Sequence, residues 1–432
     1  MSQTRMENEL FAFIQEAVSP FHTVKAVAER LTLAGFERLQ LKDEWNLKKG
    51  GAYYVIHHGT TIFAFTVGEK MDQKDSFRIG ASHGDFPGFR IKPHPDIKKN
   101  GYLKLNTETY GGVNLASWMD RPLSAAGRVM LRSENVFLPK EVLVDLQEPV
   151  FIIPNIAIHL NREMNEGNKL NRQIHMLPIT GMADHQEEKE GFLDWLAKRI
   201  SVEKEEILGF ELNIYNKDES TFVGMEKEFI SAPRLDNLTS SYALTKALIE
   251  GRRESGINLA VVFDHEEIGS RTKQGAGSTL LSIVLEKVYR GLHFSREEFQ
   301  SAIQEGLMMS VDVAHGYHPN YTEKYDPTNQ PVLNGGVCIK EACSQSYATD
   351  GNAIAVMEQI CKKEGIPYQK ALNRSDMAGG GTLGSIASAM FPVRTVDLGV
   401  PLLAMHSARE LMGRKDQESL ERYLKAYFSI EK

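Results

Sequence analysis

The run INLAVVF, Ile257–Phe263, is followed without a break by DHEE. Six of these seven residues are apolar, which suits a strand covered on both faces, and such strands occur in sheets layered by helices. Asp264, Glu266 and Glu267 then stand at the end of a buried strand, where repulsion between carboxylates is poorly screened. That arrangement demands either a cation beside the acids or a proton on one of them.

The rest of the chain repeats the pattern. Helical spacing over 7–31 is interrupted at Ser19-Pro20, and 51–67 reads as two strands joined near His58-Gly59. A short strand over 76–82 runs into His83-Gly84-Asp85. From Ala232 onward helical patterns (240–250, 278–289, 352–364, 417–428) alternate with apolar strands (257–263, 307–311, 394–398). The alternation predicts an α/β fold with a mainly parallel sheet and helices on both faces. Between 93 and 227 the texture changes to strand-like segments such as 210–215, with one charged helical stretch at 191–199. The expected division is a discontinuous domain of 1–92 and 228–432 and an inserted strand-rich domain of 93–227.

Composition narrows the function classes. A net charge of −7 without a basic tract argues against a nucleic-acid surface. No apolar run approaches the ~20 residues of a membrane span. The opening MSQTRMENELFAFIQEAV carries acids where a signal peptide has positive charge. Three unevenly spaced cysteines, Cys338, Cys343 and Cys361, suit reduced thiols, and the expected location is the cytoplasm.

In α/β sheets the site lies beyond the carboxyl ends of the strands. There the sequence offers His83 and Asp85, then Asp264, Glu266 and Glu267, then Asp312 and His315. The segment SAPRLDNL adds Asp236, and VPLLAMHSARE adds His406. Imidazole and carboxylate suit zinc, cobalt or manganese. The set exceeds what one tetrahedral ion needs and fits two ions sharing a carboxylate. One acid of the Glu266-Glu267 pair would bind metal while the other moves a proton. A hydroxide held between ions ~3.5–4 Å apart is a good nucleophile for hydrolysis. Each residue alone has an ordinary alternative: His83 as a core histidine, Asp236 as a helix N-cap, Asp312 and His315 as turn residues. The run Gly379-Gly380-Gly381-Thr382 lacks the Lys-Ser/Thr of a phosphate loop. It suits a tight turn or a close backbone approach to a bound peptide.

Nearly end to end, the chain resembles the M18 metallopeptidases, the aspartyl aminopeptidase family of dinuclear zinc exopeptidases. The resemblance rests on SPFHTV (19–24), SHGDFPGFRIKP (82–93), ETYGGVNLASWMDRPLSAAGRV (108–129), NIAIHLNR (155–162) and PRLDNLTS (233–240). It continues through DHEEIGSRTKQGAGS (264–278), SVDVAHGYHPNY (310–321), GGGTLGS (379–385) and PLLAMHSARE (401–410). It implies two zinc ions per subunit, with cobalt or manganese as substitutes. His83 and Asp312 would hold one ion, Glu267 and His406 the other, and Asp236 would bridge. Glu266 would be the general base, and Asp85 would orient His83. His315, Lys340 and Tyr347 match substrate contacts, and His159 matches a histidine supplied to a neighbouring subunit's site. The family's usual HTDSP reads HGDFP here, so Gly84 and Phe86 replace small hydroxyl residues. Local effects without loss of metal are expected there.

The implied activity is removal of N-terminal residues from peptides. Lys340 points to acidic ones, with neutral residues such as leucine as the alternative. A metal hydrolase acting on acyl groups or dipeptides, and a non-catalytic assembly or cargo protein retaining the fold, are the rival classes. The implied assembly is a homo-oligomer, with the 93–227 insertion forming dimer contacts in a tetrahedral dodecamer.

Overall fold

The computed structural model describes residues 3–183, 190–377 and 379–431. The chain forms two units: Met1–Asp85, Ser220–Met405 and Glu410–Lys432 make the first, and Phe86–Glu219 with His406–Arg409 make the second.

The first unit is built on a nine-stranded sheet. In spatial order its strands are Glu37–Leu39, Ala52–His57, Thr61–Val67, Ile257–Phe263, Phe77–His83, Leu307–Val311, Arg394–Gly399, Val337–Lys340 and Tyr368–Ala371. The four strands from Ile257–Phe263 to Arg394–Gly399 are mutually parallel, and antiparallel pairings lie to either side of them. Strand Ile257–Phe263 is buried at every position. Its side chains alternate between two cores. Ala260 and Val262 join Leu10, Val24, Leu244, Met357 and Leu420 from helices on one face. Leu259, Val261 and Phe263 join Leu281, Phe299 and Ala387 from helices on the other. A period of two set against two helical layers is why the run is apolar at every position but Asn258, whose amide donates to the Phe428 carbonyl. A smaller five-stranded sheet, containing Phe229–Ala232, Glu410–Gly413 and Pro401–Leu403, completes the unit.

The second unit is a six-stranded antiparallel sheet. Its order is Lys140–Asp145, Leu123–Leu131, Ile207–Asn216, Gly88–Lys99, Tyr102–Tyr110 and Ile179–Met182. Phe89, Trp118, Val129 and Ile214 lie in its core, and helix Phe192–Ile200 packs Leu196 into it.

Local sequence accounts for the ends of several elements. Ser19 caps helix Pro20–Leu33, with Pro20 in the first turn where its missing N–H costs nothing. The helix expected over 240–250 starts earlier, at Leu235. Asp236 is not its N-cap: Arg234 holds that place, and Asp236 and Asn237 have non-helical backbone joined by a cis peptide bond. Among the described residues no helix is long and apolar enough to cross a membrane.

Candidate metal centre and substrate cavity

Three neighbouring parallel strands deliver the centre. Their order places the end of Phe77–His83 between the ends of Ile257–Phe263 and Leu307–Val311, with Phe263 in register with His83. Neighbouring strands are ~4.8 Å apart, so their first residues beyond the sheet converge. His83 is therefore flanked by Glu266 and Glu267 on one side and by Asp312 on the other.

His83 is buried, and its Nδ1 lies 3.1 Å from the Asp85 carbonyl oxygen. A carbonyl only accepts, so Nδ1 donates, and the Nε2 edge faces carboxylates. Asp312 Oδ1 lies 3.4 Å from Nε2, Asp236 Oδ1 3.5 Å and Glu266 Oε2 4.0 Å. Two donors on one tetrahedral zinc are ~3.3 Å apart, given bonds of about 2.0–2.1 Å. The separations of 3.4 and 3.5 Å match that edge. His83, Asp236 and Glu267 each offer a donor atom, all within 4.8 Å of one another. Imidazole among carboxylates is a donor set that fits zinc.

Charge pushes in the same direction. Burial, then Asp312, Asp85 and Asp236, raise the Glu266 carboxyl to about 8 against the opposing pull of His83. Burial and Asp236 also push Glu267 well up. Burial alone would lower the His83 imidazole, but Asp236, Asp312 and Asp85 outweigh it. The cluster gathers positive charge, as protons or as metal, and metal binding displaces the protons.

Asp85 ties the centre together. Its Oδ1 accepts the Glu266 N–H and its Oδ2 the Glu267 N–H, each at 3.1 Å, while Oδ1 lies 3.5 Å from His83 Nδ1. One buried carboxylate thus sets both the imidazole and the turn bearing the paired glutamates. Asp264 has a different place. Its oxygens accept the His265 N–H at 2.8 Å and the Gln274 side-chain amide at 3.2 Å. His265, left-handed at φ 62°, turns the chain between Asp264 and the pair.

Gly84 has a steric cause. A Cβ there would lie 2.9 Å from Val262 Cγ1 and 3.0 Å from Thr23 Cγ2, and Thr23 Oγ1 donates to the Gly84 carbonyl at 3.0 Å. The helix carrying SPFHTV closes on this turn and leaves no room for a side chain.

His315, Lys340 and Tyr347 line one cavity of about 300 Å³, which Gly379 also walls. Lys340 is buried; its Nζ donates to the Val313 carbonyl at 3.0 Å, lies 3.6 Å from Asp312 Oδ2 and sits over the Tyr347 ring at 5.1 Å. Burial would lower its ammonium, but Asp312, Tyr347 and Asp397 outweigh burial and hold it raised.

His406 and His159 belong to the second unit. His406 Nδ1 lies 3.0 Å from the carbonyl oxygen of Gly112, a residue of the ETYGG segment, so Nδ1 donates and the lone pair is on Nε2. That tautomer is the one a metal-binding histidine adopts when a backbone carbonyl orients it. His159 is exposed in the turn Ile158–Leu160.

Sequence reasoning missed two supporting acids. Glu410 accepts the Asp236 N–H at 3.0 Å. Asp397, fully buried, accepts from Thr382 Oγ1 at 2.5 Å and from Ala348 N–H at 2.6 Å, joining the glycine run to the segment after Tyr347. The Val-Asp that RTVDLG shares with LMMSVDV was the available signal for Asp397, which lies inside strand Arg394–Gly399.

Acids and a histidine gathered at the carboxyl edge of a parallel sheet are a donor set suited to a metal-dependent hydrolase of α/β architecture. The family described as aminopeptidase I zinc metalloprotease (M18) matches residues 13–428. A "Probable M18 family aminopeptidase 2" of Clostridium novyi (strain NT) is 42% identical over 431 residues, 99% of this chain and 100% of that one. A chain of the Ape4 and Nbr1 complex superposes with a TM-score of 0.95 at 32% identity, over 99% of this chain and 86% of the other. The mApe1 dodecamer of S. cerevisiae gives 0.83 at 27% identity, over 98% and 95%. The chain belongs to the M18 family of zinc metallo-aminopeptidases.

Proposed function

We propose that this aminopeptidase removes acidic N-terminal residues, Asp or Glu, from peptides. The observation that carries this reading is the charge of the cavity. Among the described residues Lys324, Lys340 and Arg374 line it and no aspartate or glutamate does, in a chain of net charge −7. An acidic first side chain would bring this positive cavity a carboxylate to pair with, and a neutral one would not.

Two zinc ions per subunit are proposed, with His83 and Asp312 holding one, Glu267 and His406 the other, and Asp236 serving both. When bound, the zinc polarises the scissile carbonyl and makes water a nucleophile at neutral pH. Glu266 takes a proton from the attacking water and passes it to the leaving amine. Asp85 holds the Glu266 backbone and the His83 ring. His315 and Tyr347 flank the substrate's first side chain, above Lys340.

The protein is further proposed to act as a homo-oligomer, as the dodecameric relative does. His159, exposed beside Ile158 and Leu160 at 44% and 77% exposure, would be supplied to a neighbouring subunit's site. Residues 93–227 would form the dimer contacts.

The test is a panel of Asp, Glu, Leu, Lys and Ala amides, assayed on zinc-stripped and zinc-restored enzyme. The reading expects no turnover without metal and a higher kcat/KM for Asp and Glu once zinc is restored. Leucine as the best substrate would replace the acidic reading with the neutral one.

A further inference from the structure

We infer that Lys324 is the specificity-determining cation of the substrate cavity, the group that selects an acidic first residue. The inference rests on the reading of that cavity as the pocket for the substrate's first side chain. Of the three cations lining it, two are already engaged. Lys340 is 2% exposed, donates to Val313 and lies against Asp312, one of the acids facing His83. Arg374 turns its fork onto Asp376, with Nε and Nη2 at 2.8 and 2.6 Å from the two carboxylate oxygens. Its Nη1 donates to the Glu323 carbonyl.

Lys324 is exposed, and its ammonium forms no ion pair with any described residue. Its backbone is nonetheless fixed. It ends the 3-10 turn Thr322–Lys324, its N–H donates to the Tyr321 carbonyl at 3.0 Å, and Arg374 grips the carbonyl just before it. Beyond it the Tyr325 ring packs on Tyr317 with centroids 5.2 Å apart. A long side chain with three donors thus projects from a pinned turn into a cavity without acids. An incoming carboxylate meets there the one lining cation that, among the described residues, has no carboxylate of its own. Because Lys324 is exposed, its attraction is screened by salt, whereas the pairing of buried Lys340 is not.

The experiment measures kcat/KM for Glu- and Leu-amide substrates at low and high salt on zinc-loaded enzyme. It compares wild type with Lys324→Gln, Lys324→Glu and Lys324→Arg. The Glu-to-Leu ratio is expected to fall about threefold in Lys324→Gln and about tenfold in Lys324→Glu at low salt. The fall should shrink at high salt, and Lys324→Arg should restore the ratio. A wild-type preference for Glu that Lys324→Glu leaves intact overturns the inference alone. A wild type that does not prefer Glu overturns it together with the pocket reading on which it rests.

Discussion

Asp85 Oδ1 accepts the backbone N–H of Glu266 at 3.1 Å while lying 3.5 Å from His83 Nδ1. The two contacts couple the orientation of the histidine to that of the paired glutamates. Asp85→Asn would keep the size but present only one acceptor oxygen to the two N–H groups of 266 and 267. We expect zinc affinity and kcat to fall by ~10–100-fold, the usual cost of losing a partner that orients a metal ligand. Zinc titration alongside steady-state kinetics checks this, and wild-type values in both would remove Asp85 from the account.

Lys340→Ala should not act on acidic substrates alone. The ammonium lies 3.6 Å from Asp312 Oδ2 and also feels the charge of the buried Asp397, so its removal leaves buried acids without their cation. Losing one partner of a buried pair costs ~3–5 kcal/mol. A lower melting temperature and reduced zinc content are expected, with kcat falling for Leu and Glu substrates alike. Intact stability with a loss confined to Glu substrates would assign Lys340 to the substrate only.

The zinc-stripped protein should lose stability as pH rises. Glu266 titrates at about 8 in the folded chain against about 4.5 when unfolded, so between those values the folded state binds more protons. Stability therefore falls as pH climbs through that window. Zinc displaces the proton, so its stabilising effect grows with pH. Melting temperatures of stripped and zinc-loaded protein at pH 5, 6, 7 and 8 should diverge steadily, and parallel curves would contradict this.

Much of the centre was legible because burial writes itself as apolar runs. Ile257–Phe263 and Leu307–Val311 occupy the positions that their composition predicts, and their ends carry Glu266, Glu267 and Asp312. Strands Val337–Lys340 and Tyr368–Ala371 were not legible: each is four residues long, one ends in a buried lysine and the other reads YQKA. Helix Leu383–Met390, LGSIASAM, follows a glycine run and is composed largely of small residues, so no periodic pattern announced it. The separation of Asp264 from its two neighbours was also hidden. It depends on the left-handed turn at His265, a backbone state that no residue type there demanded. Asp236 followed the same logic, since its non-helical backbone inside a helical segment leaves no periodic trace.

The division of labour between adjacent glutamates is the centre of the account. The most direct measurement is zinc stoichiometry and kcat on the same preparations of Glu266→Gln and Glu267→Gln. Glu266→Gln should hold as much zinc as wild type while kcat falls by ~10²–10⁴-fold, because an amide cannot accept the proton. Glu267→Gln should hold less zinc. A fully active Glu266→Gln enzyme with full zinc, or zinc lost from Glu266→Gln and retained by Glu267→Gln, would contradict the assignment.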